Sequence, residues 1–264
     1  MKRAMPDNCL IHEWTEPVNA MVVGATGGIG LALVRQLLEH AAVERIFAVA
    51  RTACSNPNLI SLAERHAGRL VLTDCDIRDE IQLAQLAAST ADIARTLHLV
   101  INTAGMLHEG SRMPEKSLAT VTLAGLQSAF MINAFAPILL AKALLPLLRH
   151  SGPAVFASLS ARVGSISDNR SGGWYSYRAA KAAQNQLLKT LALELSRMNR
   201  RSIVLALHPG TTDTALSKPF QGNVAAEKLF TPEYAAAALL HVIAQRQPSD
   251  SGGFYAWDGS TIGW

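Results

Sequence analysis

The chain has 264 residues, of which 49% are hydrophobic and 17% are charged, and its formal net charge is +4. This balance allows a well-buried core within one domain and argues against a disordered chain. No cluster of lysine and arginine suggests a nucleic-acid track, so the mild basic excess indicates either simple solubility or attraction to a phosphate-bearing ligand. The longest apolar runs, such as residues 135–148, contain proline and lysine and are too short to span a bilayer.

The N-terminal residues and the cysteines predict where the protein resides. Residues 1–18 are polar and lack both periodicity and an apolar signal-peptide core, so we expect a loosely held extension before a single domain over residues 19–264. The three cysteines, Cys9, Cys54 and Cys75, show no paired spacing. These features predict a cytoplasmic protein with unbridged thiols. No cluster of histidine, cysteine and acidic residues has metal-ligand spacing, so we expect no metal.

Short apolar runs alternate with helical patterns along the chain. Strands are predicted at 19–23, 45–50, 69–75, 97–102, 154–159, 202–207 and 253–257, and helices at 31–40, 79–94, 117–149, 174–199 and from 231 onwards. Pro137 and Pro146 are expected to kink or divide the longest pattern before the strand at 154–159. The strands lack a period of two, which is typical of strands buried on both faces. The sequence therefore predicts an α/β fold, a doubly wound parallel sheet of about seven strands with helices on both faces.

A glycine-rich turn, Gly24-Ala-Thr-Gly-Gly-Ile-Gly30, joins the first strand to the first helix. Glycines let a phosphate approach the main chain, where helix N–H groups and the positive helix end can hold it. Because the turn lies between an apolar strand and an apolar helix, it indicates nucleotide binding rather than a plain tight turn. The candidate contacts within it are Gly24, Thr26, Gly28, Ile29 and Gly30.

The second strand is followed by Arg51. Many dinucleotide-binding folds place an acidic residue there to bind the ribose 2′-hydroxyl. A guanidinium group cannot accept a hydrogen bond from a hydroxyl, but it can pair with a 2′-phosphate. We therefore expect NADP(H) to be preferred over NAD(H); the alternative is that Arg51 is an ordinary solvated side chain.

Tyr177 and Lys181 stand four positions apart in an alanine- and leucine-rich run. Residues at this spacing share one face of a helix. An ammonium group beside a phenol favours the phenolate and lowers the pKa of the tyrosine toward the neutral range. The two residues are therefore a candidate acid/base pair, although the same spacing also occurs in ordinary amphipathic helices.

Together with four further motifs, these features resemble the classical short-chain dehydrogenase/reductase family over roughly residues 19–258. The further motifs are Asp76-Ile77, Asn102-Thr-Ala-Gly105, Asn133 in the long helix, and Pro209-Gly210 with Thr214 beyond. The stretches 164–169, 173–179 and 208–220 are similar to the C-factor-like (sniffer-like) carbonyl reductase branch. The resemblance implies a single Rossmann-type domain. It also implies cofactor contacts at Asp76, Ile77, Asn102, Ala104, Gly105, Tyr177, Lys181, Pro209, Gly210, Thr212 and Thr214.

The family also has a serine 13 residues before the tyrosine, and this chain has Gly164 there. Alignment on the strand favours Ser158 or Ser160, whereas alignment on the Val-Gly pair that follows places Ala161 at the serine position. We prefer Ser160, because it lies at the carboxyl end of the strand, where open α/β sheets place their sites. Ser158 would then be a buried hydroxyl bonded to the backbone.

The resemblance implies hydride transfer between the cofactor and a carbonyl carbon, with Tyr177 as the proton donor. Ser160 would orient the carbonyl oxygen, Lys181 would tune Tyr177 and hold the ribose hydroxyls, and Asn133 would position a relay water. The expected substrate is a small to medium, fairly apolar carbonyl compound or alcohol, and the expected assembly is a homodimer or homotetramer. The alternative is a cofactor-binding regulatory or signalling protein with little turnover, because fold alone does not give function.

The substrate side is defined only loosely by the sequence. Residues 216–223 follow the nicotinamide segment without clear periodicity and are a candidate lid. Trp174 and Phe220 are candidate walls of an apolar pocket, with core packing as the alternative. His108 and its neighbours follow the Asn-x-Ala-Gly loop and would line either the substrate mouth or a solvated loop.

Overall fold

The computed structural model of the chain describes residues 17–110 and 112–264. The expected N-terminal extension, with Cys9, therefore lies outside the described residues as far as residue 16. Val18 is already the first residue of the first strand.

Strands and helices alternate along the described chain. The strands are β1 (Val18–Val23), β2 (Val43–Ala50), β3 (Leu70–Asp74), β4 (Leu99–Asn102), β5 (Ala154–Leu159), β6 (Ser202–His208), β7 (Thr211–Thr212), β8 (Leu229–Phe230) and β9 (Gly253–Ala256). The helices are α1 (Gly28–Leu38), α2 (Pro57–Arg65), α3 (Glu80–Ile93), α4 (Leu123–Phe130), α5 (Ala136–Leu148), α6 (Tyr175–Met198) and α7 (Pro232–Ala244).

Within the described residues, seven strands form one parallel sheet in the order β3-β2-β1-β4-β5-β6-β9. On one side of β1 lie β2 and then β3, and on the other side lie β4, β5, β6 and β9 in turn. This is the doubly wound arrangement that the sequence predicted. The short strands β7 and β8 pair separately.

The core occupies both faces of the sheet, which explains why the strands have no period of two. In β2, Ile46 and Ala48 pack into the cluster that includes α1, α2 and α7. Phe47 and Val49 point the other way, into the cluster that includes α3, α5 and α6. The helices therefore cover both faces, and the carboxyl ends of the strands remain as the edge where loops can form a site.

The long helical pattern at 117–149 is divided just before Pro137, as expected, whereas Pro146 lies inside α5 without ending it. The form of the division was not predicted. A five-residue π-helical segment, Met131–Phe135, separates α4 from α5, and Thr122 caps the start of α4. The continuous run Leu123–Leu148 has 26 residues, and its most apolar 18-residue window has a mean hydropathy of 1.8, so the expectation that no run is long enough to cross a bilayer was wrong. Half of its most apolar window is buried within the fold, as in the core helix of a globular domain.

Candidate active site

Helix α6 brings Tyr177 and Lys181 together at the carboxyl edge of the sheet. The Tyr177 side chain is 9% exposed and Lys181 is 3% exposed. The Lys181 Nζ lies 5.8 Å from the centre of the Tyr177 ring. It donates hydrogen bonds to the Leu159 carbonyl at 2.8 Å and to the Gln184 Oε1 at 2.9 Å. A phenol and an ammonium group thus share one dry face of the helix beside the end of β5.

Burial acts on this pair differently from the Coulomb effect that the sequence suggested. It raises the pKa of Tyr177 above its usual value, and it lowers the pKa of Lys181 to about 7. The desolvation free energy of a buried phenolate is larger than the Coulomb stabilisation that an ammonium group provides at this distance. In the protein without cofactor Tyr177 is therefore a neutral phenol at neutral pH, which is the protonation state of a proton donor.

The start of α6 is held by a carboxylate from a distant loop. Trp174, the residue before the helix, has φ +52°, a left-handed conformation, and its side chain makes no capping hydrogen bond. The Trp174 N–H donates to the Glu115 carbonyl at 2.5 Å. The Glu115 carboxylate accepts hydrogen bonds from the Ser176 N–H at 3.2 Å and from the Ser176 hydroxyl. Glu115, 9% exposed, thus takes the role of an N-cap for the helix that carries Tyr177.

The glycine-rich turn forms a cradle that side chains would fill. Gly24 has φ +83°, and a Cβ there would lie 2.5 Å from the Thr103 Oγ1. A Cβ on Gly30 would collide with the Gly24 carbonyl oxygen, and one on Gly28 would lie 3.0 Å from the Thr214 Cγ2. The residue before α1 is Gly27, so no side chain caps the first N–H groups of that helix. The open helix end and the close backbone fit a pyrophosphate.

The remaining predicted residues of the turn lie around this cradle. Thr26 and Ile29 are both half-buried, on either side of the exposed Gly27 and Gly28. Their positions leave the backbone of the turn accessible from the cleft, which is consistent with main-chain contact to a ligand.

The Asn-x-Ala-Gly loop after β4 is tied to the π-helical segment. The Asn102 Oδ1 accepts from the Ala104 N–H at 3.1 Å. The Asn133 amide accepts from the Met106 N–H at 3.0 Å and donates to the Met106 carbonyl at 2.8 Å and the Ala129 carbonyl at 3.0 Å. A Cβ on Gly105 would lie 3.2 Å from the Asn133 Oδ1 and 3.7 Å from the Lys181 Nζ. The loop, Asn133 and Lys181 therefore meet.

At the adenine end of the cleft, Arg51 and Asp76 follow neighbouring strands. Arg51 is exposed just after β2. Asp76 is held by Arg78, whose Nε lies 2.9 Å from the Asp76 Oδ1, and these hydrogen bonds lower the pKa of Asp76, with a smaller contribution from the charge of Arg51. The Ile77 side chain is 4% exposed and packs in the core rather than toward the cleft.

The two candidate serines are both engaged in buried hydrogen bonds. The Ser160 hydroxyl donates to the Asn185 Oδ1 at 2.6 Å. The Ser158 hydroxyl accepts from the Asn102 Nδ2 at 2.9 Å and from the Gln184 Nε2 at 2.7 Å. Contact between Ser160 and a substrate thus stays a prediction, and it requires the Ser160 hydroxyl to turn away from Asn185.

The segment after β6 turns sharply at Gly210, which has φ +75°, and a Cβ there would lie 2.5 Å from the Phe230 ring. The Thr212 side chain is 4% exposed and donates to the Pro209 carbonyl at 3.4 Å. Thr214 is half-buried beside Gly28 of the glycine-rich turn. The structure therefore places the predicted nicotinamide segment directly against the predicted phosphate cradle.

Aromatic side chains from three separate loops meet over Tyr177. The Trp174 ring lies 6.2 Å from the Tyr177 ring and 5.1 Å from the Phe220 ring. His108 lies 6.0 Å from Phe220, and its Nε2 is 3.3 Å from the Ala215 carbonyl oxygen. Phe220 belongs to a short 3-10 helix, Lys218–Asn223, within the candidate lid. The aromatic residues that the sequence offered as candidate pocket walls are thus brought together beside Tyr177.

Gln184 and Glu115 are among the buried residues of this site that were not singled out from the sequence. Gln184 lies three positions after Lys181, so helical spacing could have placed it on the same face. Glu115 lies 61 residues before Ser176 in the chain, and no sequence pattern pointed to that contact. Within residues 17–110 and 112–264, no group of three histidine, cysteine or acidic residues could hold a metal ion.

A phosphate cradle at the start of a doubly wound sheet, together with a buried Tyr/Lys pair, defines a dinucleotide-dependent oxidoreductase. The profile of the family described as short chain dehydrogenase matches residues 18–224. The chain therefore belongs to the short-chain dehydrogenase/reductase family and is an enzyme of the NAD(P)-dependent type.

Relatives agree with this assignment. The chain is 33% identical to 1-hydroxy-2-glutathionyl-2-methyl-3-butene dehydrogenase of Rhodococcus sp. (strain AD45) over 244 residues, covering 92% of this chain and 98% of the relative. The structure of an NADPH-bound carbonyl reductase from chicken fatty liver matches with a TM-score of 0.82 and 27% identity, covering 94% and 100% of the two chains. The carbonyl reductase Sniffer of D. melanogaster matches with the same TM-score, 25% identity and the same coverage. The sniffer-like branch that the motifs suggested is thereby confirmed.

Proposed function

We propose that this enzyme is an NADP(H)-dependent carbonyl reductase that acts on small to medium, fairly apolar carbonyl compounds. The observation that carries the proposal is the buried, neutral Tyr177 beside Lys181, under aromatic side chains and at the carboxyl edge of the sheet. A phenol that keeps its proton at neutral pH suits reduction, in which the carbonyl oxygen must receive a proton.

The cofactor preference is supported by charge at the adenine end of the cleft. Arg51 is exposed at the end of β2, where its guanidinium group is free to reach a 2′-phosphate. The structural relative from chicken fatty liver holds NADPH. The cradle of Gly24, Gly28 and Gly30 would hold the pyrophosphate at the start of α1.

The bound dinucleotide would supply the hydride. Tyr177 would donate its phenolic proton to the carbonyl oxygen, where negative charge develops. Lys181 would keep a positive charge beside Tyr177 and stabilise the phenolate left behind. Ser160 would orient the substrate oxygen after rotating its hydroxyl away from Asn185.

Asn133 would serve the proton path through its main chain. Both hydrogens of its side-chain amide are donated, to the Met106 and Ala129 carbonyls, and its Oδ1 already accepts from the Met106 N–H. Its carbonyl oxygen lacks the usual partner four positions on, because Pro137 has no N–H. That carbonyl would hold a water that returns a proton from solvent toward Lys181.

The substrate would enter under the aromatic cluster of Trp174, Phe220 and His108. An apolar wall over the proton donor excludes water and favours substrates with little charge. The cluster joins the candidate lid to the loop before α6, so closure of residues 216–223 would complete the pocket.

A homo-oligomer is proposed on the exposed apolar side chains of the long helices. Leu123 is 70% exposed and Phe135 is 44% exposed on the α4–α5 run, and Leu193 is 57% exposed on α6. Apolar side chains of this size are typical of subunit contacts. Sedimentation of the purified protein would show a dimer or tetramer, and a monomer at all concentrations would contradict this part of the proposal.

The test is titration of the purified protein with NADPH and with NADH, followed by NADPH oxidation with a panel of aldehydes, ketones and diketones. Tighter NADPH binding together with turnover supports the proposal. Tyr177→Phe should lose most of the turnover, at least about 100-fold for a general acid, and keep its NADPH affinity. Tyr175→Phe is the matched control, because Tyr175 lies on the same helix, is 42% exposed and should leave turnover unchanged.

Two outcomes would contradict the proposal in different ways. Tight NADPH binding without turnover of any carbonyl compound would favour a cofactor-binding regulatory protein. A preference for NADH would contradict the role of Arg51 and leave the assignment of Tyr177 and Lys181 untouched.

A further inference from the structure

Lys181 is fixed by its neighbours before any ligand binds. An ammonium group has three hydrogens to donate. Two of them reach the Leu159 carbonyl at 2.8 Å and the Gln184 Oε1 at 2.9 Å. One hydrogen is left for a ligand or for the side of the pocket where Tyr177 stands.

The orientation of the Gln184 amide is determined by its other end. Gln184 is fully buried, at 0% exposure. Its Nε2 donates to the Ser158 Oγ at 2.7 Å and to the Leu159 carbonyl at 3.2 Å. If the amide were reversed, an NH₂ group would face the Lys181 ammonium group, donor against donor. The amide oxygen therefore points to Lys181.

The same hydrogen bonds continue to the cofactor side of the site. The Ser158 Oγ also accepts from the Asn102 Nδ2 at 2.9 Å, and the Asn102 Oδ1 accepts from the Ala104 N–H at 3.1 Å. A chain of buried polar groups thus runs from Lys181 through Gln184, Ser158 and Asn102 to the Asn-x-Ala-Gly loop. We call it the buried polar chain. Networks of this kind in a dry interior hold their members rigidly when every member is satisfied.

We propose that Gln184 is a positioning residue of the reaction: its amide oxygen holds the Lys181 ammonium group in its charged form at the end of the buried polar chain. The residue acts through Lys181 and needs no contact with substrate. This inference rests on the proposed function only in that Lys181 must be charged for turnover.

Most of the groups around Lys181 are neutral, so its charged form must be stabilised mainly by neutral hydrogen-bond acceptors. Tyr177 is the titratable group that faces it from its own helix. The packed turn at Arg162–Gly164 contributes one charge, and the Arg162 guanidinium points to Asp168 at 3.2 Å. Strand β5, the π-helical segment and the backbone at Gly105 face Lys181 with neutral groups among the residues that the structure describes. Burial lowers the pKa of Lys181 to about 7. The Leu159 carbonyl and the Gln184 Oε1 are the hydrogen-bond acceptors placed to favour its charged form.

Two substitutions of Gln184 should shift the pKa of Lys181 in opposite directions. Gln184→Leu removes the acceptor at similar volume, so the pKa of Lys181 should fall by about one unit, as expected for a hydrogen bond to a charged group. Gln184→Glu places a carboxylate beside the ammonium group, so the pKa should rise. Gln186→Leu is the matched control: Gln186 lies on the exposed side of α6 and should change nothing.

The direct readout is the titration of Lys181 in protein labelled with [ε-¹³C]lysine, followed by NMR between pH 5 and pH 11. The chain has seven lysines, and the Lys181 signal is identified by its loss in Lys181→Met. The second readout is the pH profile of kcat/KM for NADPH-dependent carbonyl reduction. Its alkaline limb should move to lower pH in Gln184→Leu and to higher pH in Gln184→Glu.

Unchanged titration of Lys181 in both variants would overturn the proposal and reduce Gln184 to a packing residue. If Gln184→Leu fails to fold, the direction of the shift in Gln184→Glu decides alone, and a shift to lower pKa would refute the reasoning. Failure of the proposed function would look different. If the two variants shift the Lys181 titration in opposite directions but the unaltered enzyme turns over no carbonyl compound, the role of Gln184 is supported and the carbonyl reductase activity is rejected.

Discussion

Replacing Glu115 tests whether a distant carboxylate holds the catalytic helix in place. Glu115→Ala leaves the Ser176 N–H and hydroxyl, both buried at the start of α6, without their acceptor. Each orphaned buried donor costs about 1–3 kcal/mol, and removing the buried carboxylate returns part of that cost. We expect a net loss of about 3 kcal/mol in the free energy of unfolding, a large share of the ~5–15 kcal/mol of a typical domain.

The assay is thermal and denaturant unfolding, together with turnover. A loss of this size should lower Tm by roughly 10 °C in a chain of this length. Because Tyr177 directly follows Ser176, loosening of the first helical turn should also lower turnover by at least about tenfold. A double variant with Ser176→Ala, which removes the orphaned hydroxyl, should regain part of the stability.

Glu80→Ala is the control for an ordinary acidic residue at a helix start. Glu80 opens α3, is 62% exposed and pairs with Lys142 at 2.9 Å. A surface pair of this kind contributes ~0–1 kcal/mol. If Glu115→Ala and Glu80→Ala unfold at the same temperature, the capping role of Glu115 is refuted.

Two further predictions concern charge. Arg51→Glu should weaken NADPH binding about 10- to 100-fold, the equivalent of a lost phosphate contact, and should change NADH binding little. The control variant Arg65→Glu should change the binding of either cofactor little. Equal losses of NADPH and NADH affinity in Arg51→Glu would contradict the 2′-phosphate role. Burial, with a smaller contribution from Arg162, lowers the pKa of His208 to about 4 from an unfolded value near 6.5. The unfolded chain therefore binds this proton first, so stability should fall as pH drops from 6.5 to 4, by about 3 kcal/mol in total from this group. His208→Gln should flatten that part of the pH dependence in urea unfolding, and an unchanged slope would show that other groups dominate.

The sheet could be predicted from the sequence because its strands are buried on both faces. The run at residues 154–159 is apolar except for Ser158, and the structure confirms that strand with the same limits. Helix α2 was missed because only Leu59 and Leu62 of its side chains are buried. Its signals were local: Asn56 caps the helix and Pro57 occupies the first turn, a pattern that predicts a helix start without an apolar stripe.

The parts of the site that depend on spacing along the chain could be predicted. The parts that depend on tertiary contacts could not. Tyr177 and Lys181 share a helical face by their spacing alone. The π-helical segment around Asn133 could not be read from periodicity, because the helix remains apolar across it. Glu115 meets Ser176 through a tertiary contact across 61 residues of the chain, beside the packed pair α4 and α6. Burial itself reversed the expected shift in the pKa of Tyr177, and burial is a property of the fold rather than of the motif.

The left-handed backbone of Trp174 restricts which residues can replace it. A bulky residue in the left-handed conformation costs roughly 1–3 kcal/mol, and Gly172 and Gly173 before it adopt the same conformation without that cost. Glycine at position 174 would relieve the strain and also remove the ring between Tyr177 and Phe220. At this one position the backbone strain and the aromatic contacts with Tyr177 and Phe220 therefore cannot be changed independently: removing the first by glycine also removes the second.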